Sequence, residues 1–343
     1  MTMEQTQAAP KAYCNVLARQ KGLDPAGHAG HFEDLMVMEV PLPWKKGVYE
    51  RGGGQPDAVI ELMELWYKRY EAGEPYHHRS LMIAPDPAYS QTGRRRVMYY
   101  RRHTDYPAGF EKVEYVVPED EAGRLALALF EAREDLKAFE RYRVLEMDTV
   151  RDVLVCTHGT VDAACAKFGY PLYNRLRRDY ADEGLRVWRV SHFGGHVFAP
   201  TLVDLPTGHF WAYVEEAQVR PIVRREGSVE AMRGHYRGWA GLENPFLQAA
   251  EREMWQREGW VWFEWAKTGR VVEADSGDRP TWAVVKVDYR STDGRRAGCY
   301  RGRVTVEREV ETIGTTGYEA VYPYAQYVVR EMDHMVTTEP DMA

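Results

Sequence analysis

The chain has 343 residues and a mass of 39.6 kDa, about two domains' worth at ~100 to 200 residues each, and its hydrophobic fraction of 44% is ordinary for a globular protein. Its 45 Lys and Arg against 52 Asp and Glu leave a net charge of −7, which supplies no general pull toward nucleic acid or an anionic membrane. No apolar run approaches the ~20 residues that span a bilayer, and MTMEQTQAAPKAY puts an acidic residue and a proline where an export segment is apolar, so a soluble cytoplasmic protein is expected.

The first region, residues 1–147, opens with a polar tail and then gives the strand-like run VMEVPLPW (Val37 to Trp44), closed by two prolines. The loop RGGGQPD that follows lacks the Lys-Ser/Thr of a phosphate loop and reads as a turn. Ala58 to Tyr70 places Val59, Leu62, Met63, Leu65 and Trp66 at helical spacing, and Arg94 to Arg102 reads as a strand with basic flanks. Those arginines are expected on a solvated face or in a local salt-bridge set. Glu119 to Glu131, acidic at its start and apolar after, reads as a helix packed on a sheet.

The middle region changes character. VLVC (153–156) reads as a strand, followed by an irregular glycine-containing stretch, a helix beginning at Pro171 and ended by Gly184, and a second strand LRVWRVS (185–191). A tight glycine turn, a hairpin in APTLVDLPTGHFWAYV and a helix in EEAQVRPIVRRE complete it, with Pro221 tolerated in that helix only in its first turn. A helix joining two strands makes them parallel, and the β-α-β-β-α order is that of a thioredoxin-like fold. After 227 come two helical segments, SVEAMRGHYRGWAGL and NPFLQAAEREMWQREG. Strand-like WVWFEW, TWAVVKVDY, CYRGRVTVERE and AVYPYAQYVV then run to a polar tail. The expected architecture is α/β: a thioredoxin-like domain at 148–226 embedded between an N-terminal α/β region (1–147) and a C-terminal α+β region (227–343).

Four cysteines, at 14, 156, 165 and 299, are too few to staple a chain of this size. Two of them form a pattern: Cys156 and Cys165 are followed, after twenty-six residues, by His192-Phe-Gly-Gly-His196. Thiolate and imidazole are the side chains that best bind soft and borderline metals. Each pair follows a strand, and parallel strands deliver their ends to one sheet edge, while two glycines let both imidazoles face one site. A single zinc ion suits a Cys₂His₂ set, but the eight residues between the cysteines exceed the usual C-x₂₋₄-C spacing. A two-iron cluster relaxes that constraint. A thiol oxidoreductase would carry its cysteines as C-x-x-C at a helix start.

VLVCTHGTVDAAC, the HFGGH turn and the following APTLVDLPTGHFWAYVEEAQVRPIV together resemble the sucrase/ferredoxin-like family, and MVMEVPLPW and HYRGWAGLENPFLQAAERE resemble its flanking blocks. The resemblance implies a thioredoxin-like ferredoxin whose [2Fe-2S] cluster is held by Cys156 and Cys165 on one iron and His192 and His196 on the other. It implies electron transfer rather than sucrose chemistry, since no paired-carboxylate arrangement can be read. The expected function is a one-electron carrier whose potential is coupled to protonation of the ligand histidines, with a structural Cys₂His₂ zinc module for protein binding as the alternative. The expected partner is a redox protein acting as donor or acceptor, with neither nucleic acid nor membrane involved and a homodimer left open. Residues 148–226 carry 10 basic and 10 acidic side chains, so this domain has no net charge to steer that partner. His158 is expected on an exposed loop, His28 and His31 in loop or domain contacts, Cys14 and Cys299 as buried inert thiols, and the tryptophans in the core.

Overall fold

Alternation along β5 (Arg151–Cys156) sets the plan of the middle of the molecule. Val153 and Val155 face a core shared with helices, while Leu154 and Cys156 face a second core on the other side. The computed structural model describes residues 12–47, 50–103 and 106–337, so most of the N-terminal polar tail and the end of the C-terminal one lie outside the described residues. β5 pairs in parallel with β6 (Leu185–Val190), with Cys156 opposite Val190, and α4 (Ala163–Asp179) makes the crossover. β7 (Leu202–Leu205) lies antiparallel on the other side of β5, β8 (His209–Trp211) follows as its hairpin partner, and α5 (Glu216–Arg224) closes the unit.

Two helix expectations need correction here. α4 starts eight residues before Pro171 because Asp162 caps it, its side chain accepting from the Ala164 N–H at 2.8 Å. Pro171 therefore sits inside the helix, and so does Pro221 inside α5, beyond its first turn. A capping carboxylate at one end and packed apolar faces (Leu172 and Leu176; Val219, Ile222 and Val223) outweigh the missing backbone bond.

The N-terminal region extends the same sheet. β1 (Asp34–Glu39) and β2 (His78–Ile83) are parallel, with α2 (Asp57–Glu71) as their crossover, and β3 (Arg94–Arg101) and β4 (Glu111–Pro118) add antiparallel strands beyond β1. α2 and α3 (Ala122–Phe130) cover one face of this half. β2 joins β6 through the single pair Ile83 and Val190, and β9 (Tyr236–Trp239) completes a nine-stranded sheet in the order β4-β3-β1-β2-β6-β5-β7-β8-β9. In a flat sheet β3 and β5 would stand roughly 19 Å apart, four spacings of ~4.8 Å. Instead the Tyr100 hydroxyl of β3 donates to Asp152 of β5 at 2.8 Å, so the sheet curls until its inner face closes on itself.

The curled interior holds an ionic network. Asp152 accepts from Lys112 (2.5 Å), Arg186 (2.9 Å) and the Trp188 indole (2.8 Å), and Glu114 accepts from Arg186 (2.6 Å) and Arg96. All five charged side chains are buried. Arg96 thus realises the salt-bridge set expected for the Arg94 to Arg102 cluster.

After β9, α6 (Pro245–Glu258) starts on the Asn244 cap and leads to an antiparallel sheet of β10 (Ala266–Ala274), β11 (Trp282–Arg290), β12 (Ala297–Ile313) and β13 (Val321–Thr337). Two segments differ from expectation. SVEAMRGHYRGWAGL is a 3-10 turn followed by β9, because Gly238 at φ +139° cannot continue a helix. WVWFEW is a 3-10 turn over Trp260–Glu264 that buries the adjacent Trp262 and Phe263, so its inner face does not alternate as a strand's would. Trp211, Trp239, Trp255 and Trp262 are fully buried, as expected of core residues. No helix among the described residues is long and apolar enough to cross a membrane.

Candidate metal centre

Parallel pairing brings the ends of β5 and β6 to one edge, and the first turn of α4 lies across it. Cys156 ends β5, Cys165 sits in that first turn, and His192 follows β6 by two residues. Ligand atoms of these three lie within 4.8 Å of one another, and the Cys165 sulfur is 4.0 Å from His192 Nδ1. Both thiols are free and buried, whereas the two histidines are half-buried at the rim. The His196 ring lies 5.3 Å from that of His192, but its Nδ1 turns outward to Asp162 at 3.2 Å and Cys14 at 3.5 Å. Nε2 is then the atom His196 can turn toward the cysteines.

The HFGGH turn is held by its backbone. The His192 N–H donates to His158 Nδ1 (3.1 Å), the Phe193 carbonyl accepts from Arg79 (3.1 Å) and the Gly194 carbonyl from Arg237 (3.3 Å). Gly194 and Gly195 take φ of +97° and +78°, the region that favours glycine, and a Cβ at Gly195 would collide with the Arg237 guanidinium. His158 is not exposed: only 2% of its surface is accessible, its Nε2–H donates to the Lys45 carbonyl and its ring packs on Trp44. The N-terminal region covers the loop that sequence polarity assigned to solvent.

Helix and strand meet at Gly169, where a Cβ would run into the Cys156 carbonyl oxygen. Gly169→Ala should push α4 off β5 and separate the two thiols. We expect a loss of about 1 to 3 kcal/mol in urea unfolding. Gly234→Ala, with open space around its Cβ and no positive φ, is the control that should leave stability unchanged.

Both flanks of the chain complete the site. The Asp162 carboxylate accepts from the Ala164 N–H, from the Thr316 N–H (2.8 Å) and hydroxyl (2.7 Å) and from His196 Nδ1, while Cys14 packs beside it. Thr316 lies in the turn between the long strands β12 and β13, and Cys14 opens α1 (Cys14–Gln20). Burial works to raise the Asp162 pKa, yet the Thr316 bonds, the Ala164 N–H and His196 outweigh it and hold the carboxyl below its ordinary range. Burial pushes Cys14 up to about 11, so it stays a thiol at neutral pH. Cys14, Asp162 and His196 also lie within ligand reach of one another. A carboxylate saturated by protein donors and a protonated thiol make this trio an outer support for His196 rather than a second metal seat.

The donor set suits a thiophilic metal group. The Cys165 thiol donates to Cys156 and, against the opposing effect of burial, holds the Cys156 thiol well below its ordinary value, with His192 adding to the effect. Burial keeps His196 below its usual 6.5 and therefore neutral at pH 7, as an imidazole ligand must be. Cys14, Asp162 and Thr316 are not among the candidate site residues of the sequence, although Asp162 carries a capping signal; His158 is marked there by its place two residues beyond Cys156.

A family model described as sucrase/ferredoxin-like matches residues 25–238. The chain belongs to the sucrase/ferredoxin-like family. No curated protein and no solved structure matches it. The matched stretch contains Cys156, Cys165, His192 and His196 but neither Cys14 nor Thr316.

Proposed function

We propose that this protein is a cytoplasmic one-electron carrier of the thioredoxin-like ferredoxin type, with a [2Fe-2S] cluster held by Cys156 and Cys165 on one iron and by His192 and His196 on the other. The observation that carries the reading is the convergence of two buried cysteines and His192 within 4.8 Å, with His196 beside them, at the edge of a parallel strand pair. The β-α-β-β-α order and the strand order β6-β5-β7-β8 support the thioredoxin-like assignment. Such a cluster, when bound, takes up and releases one electron. Its partner would be a redox protein that approaches the half-buried histidines, the most open part of the site. Anaerobic purification should yield red-brown protein with about two irons and two sulfides per chain. Colourless protein containing zinc would overturn the reading in favour of a structural module.

The two histidines differ in what they can do with a proton. His192 Nδ1 faces the cysteines, and its ring borders an open cavity with Tyr76, Arg79 and Phe193, so its Nε2 is the atom placed to exchange a proton with solvent. His196 Nδ1–H is held by the Asp162 carboxylate. An added electron makes the site more negative and raises the pKa of any proton the ligands carry. Between the oxidised and reduced pKa values the potential should therefore fall with rising pH, by about 59 mV per unit for each proton coupled to one electron. Asp162→Asn removes the charge that holds the His196 proton and should move that step to lower pH. Voltammetry across the pH range checks both. A potential independent of pH would overturn the coupling.

A further inference from the structure

The mouth of the parallel pair β1 and β2 holds a second donor set away from the cysteines. The Glu33 N–H donates to the His77 carbonyl (2.8 Å), and the Asp34 N–H shares that carbonyl (3.3 Å), so the backbone fixes residue 33 beside residue 77. His31, two residues earlier, reaches the same place. Its Nδ1 lies 2.7 Å from the Ala240 carbonyl oxygen, which can only accept, so Nδ1 carries the proton. Nε2 is left with a lone pair, and it points at His77 Nδ1 at 3.3 Å. Ligand atoms of His31, Glu33 and His77 all lie within 4.8 Å of one another, and all three residues are half-buried.

From this geometry we infer a binding site for one zinc-like divalent cation, held by His31 Nε2, His77 Nδ1 and the Glu33 carboxylate, with a solvent molecule completing four-coordination. Two nitrogens bound at ~2.0 to 2.1 Å to one tetrahedral ion stand roughly 3.3 Å apart, the separation present here. A ligand imidazole that donates its other N–H to a backbone carbonyl is the usual outer arrangement of a zinc histidine, and Ala240 supplies it. Burial pushes the His31 pKa down, so the ring is neutral and its lone pair is available at pH 7. The carboxylates of Glu33 and the nearby Glu243 both favour positive charge at the His31 ring. Two imidazoles select a borderline transition ion over Mg²⁺ or Ca²⁺. The bound ion would pin the segment leading into β1 to the start of β2 and, through Ala240, to the end of β9.

The site is tested on the full chain with its iron centre in place, stripped of adventitious metal on a chelating resin and titrated with Zn²⁺ against a chromogenic chelator. Wild type should bind one zinc more per chain than His77→Gln. Glu33→Gln should bind that ion roughly tenfold or more weakly, and excess Mg²⁺ should not compete. If the cysteine and histidine centre takes zinc instead of iron, that ion is lost in Cys156→Ser, whereas the ion proposed here is retained in that variant and lost in His77→Gln. Far-UV circular dichroism establishes that each variant folds, and if His77→Gln does not, Glu33→Gln decides. Equal zinc content and affinity in wild type and the folded variants would overturn the site and leave a histidine–histidine hydrogen bond in its place.

Discussion

Cys156→Ser and Cys165→Ser proteins should emerge folded but colourless, with iron and acid-labile sulfide near zero per chain. A serine hydroxyl stays protonated where a thiolate is needed and is a poor donor to a thiophilic metal, so the lost ligand has no close substitute. Water cannot replace it, because Cys156 and Cys165 are only 2% and 1% exposed. Cys14 cannot replace it either: its thiol is pushed up to about 11 by burial and packs against Asp162 and Thr316, on the far side of His196. His192→Cys and His196→Cys should instead retain a cluster, at a lower potential, since each exchanges a neutral ligand for an anionic one. The two should differ, because a thiolate at position 196 would stand near the Asp162 carboxylate and bind less well than one at 192. Iron and sulfide assays with visible absorption read all four variants. Full, spectroscopically unchanged clusters in both serine variants would reject the ligand assignment.

Sequence made the ligand pattern legible because its members are tied to local signals. Cys156 ends one short strand and His192 closely follows another, and the Gly-Gly of HFGGH announces a turn whose positive φ values the structure displays. The start of α4 was misread because proline is a conspicuous first-turn residue and a capping aspartate is an inconspicuous one. Asp162 nevertheless begins the helix eight residues earlier and so places Cys165 in its first turn. His158 was assigned to solvent on loop polarity alone, and what buries it is Trp44 and Lys45, more than a hundred residues away. Cys14 and Thr316 carry no signal of any kind. They meet across 302 positions because α1 and the turn of a long hairpin pack on the same edge, a relation that only the assembled chain contains. The curl of the large sheet was equally hidden, since alternation tells which side chains share a face but not whether that face closes on itself.

That closure sets up the largest stability effect expected in the molecule. Asp152, Leu154 and Cys156 share one face of β5, so the ionic network and the proposed ligand Cys156 are mounted on the same strand. Asp152→Ala removes the carboxylate that Lys112, Arg186, Tyr100 and Trp188 all approach, and leaves Lys112, Arg186 and Arg96 converging on Glu114 in a buried site. Breaking a buried pair in this way costs about 3 to 5 kcal/mol, a large share of the ~5 to 15 kcal/mol that holds a domain together. The midpoint of urea unfolding should fall accordingly with little change in slope. Burial opposes the charge on Asp152, yet Arg186 and Lys112 overcome it and depress the carboxyl pKa below its ordinary value. A depressed pKa means that this stabilisation is present above about pH 4 and drains away as the pH falls through the native value. The wild type should therefore lose stability below pH 4 more steeply than Asp152→Ala. Adding Lys112→Met to Asp152→Ala removes one of the stranded cations and should recover part of the loss, by roughly 0.5 to 3 kcal/mol relative to the sum of the single variants. Strict additivity would show that Lys112 and Asp152 do not support each other and that the curled interior is not held by a mutually dependent ionic network.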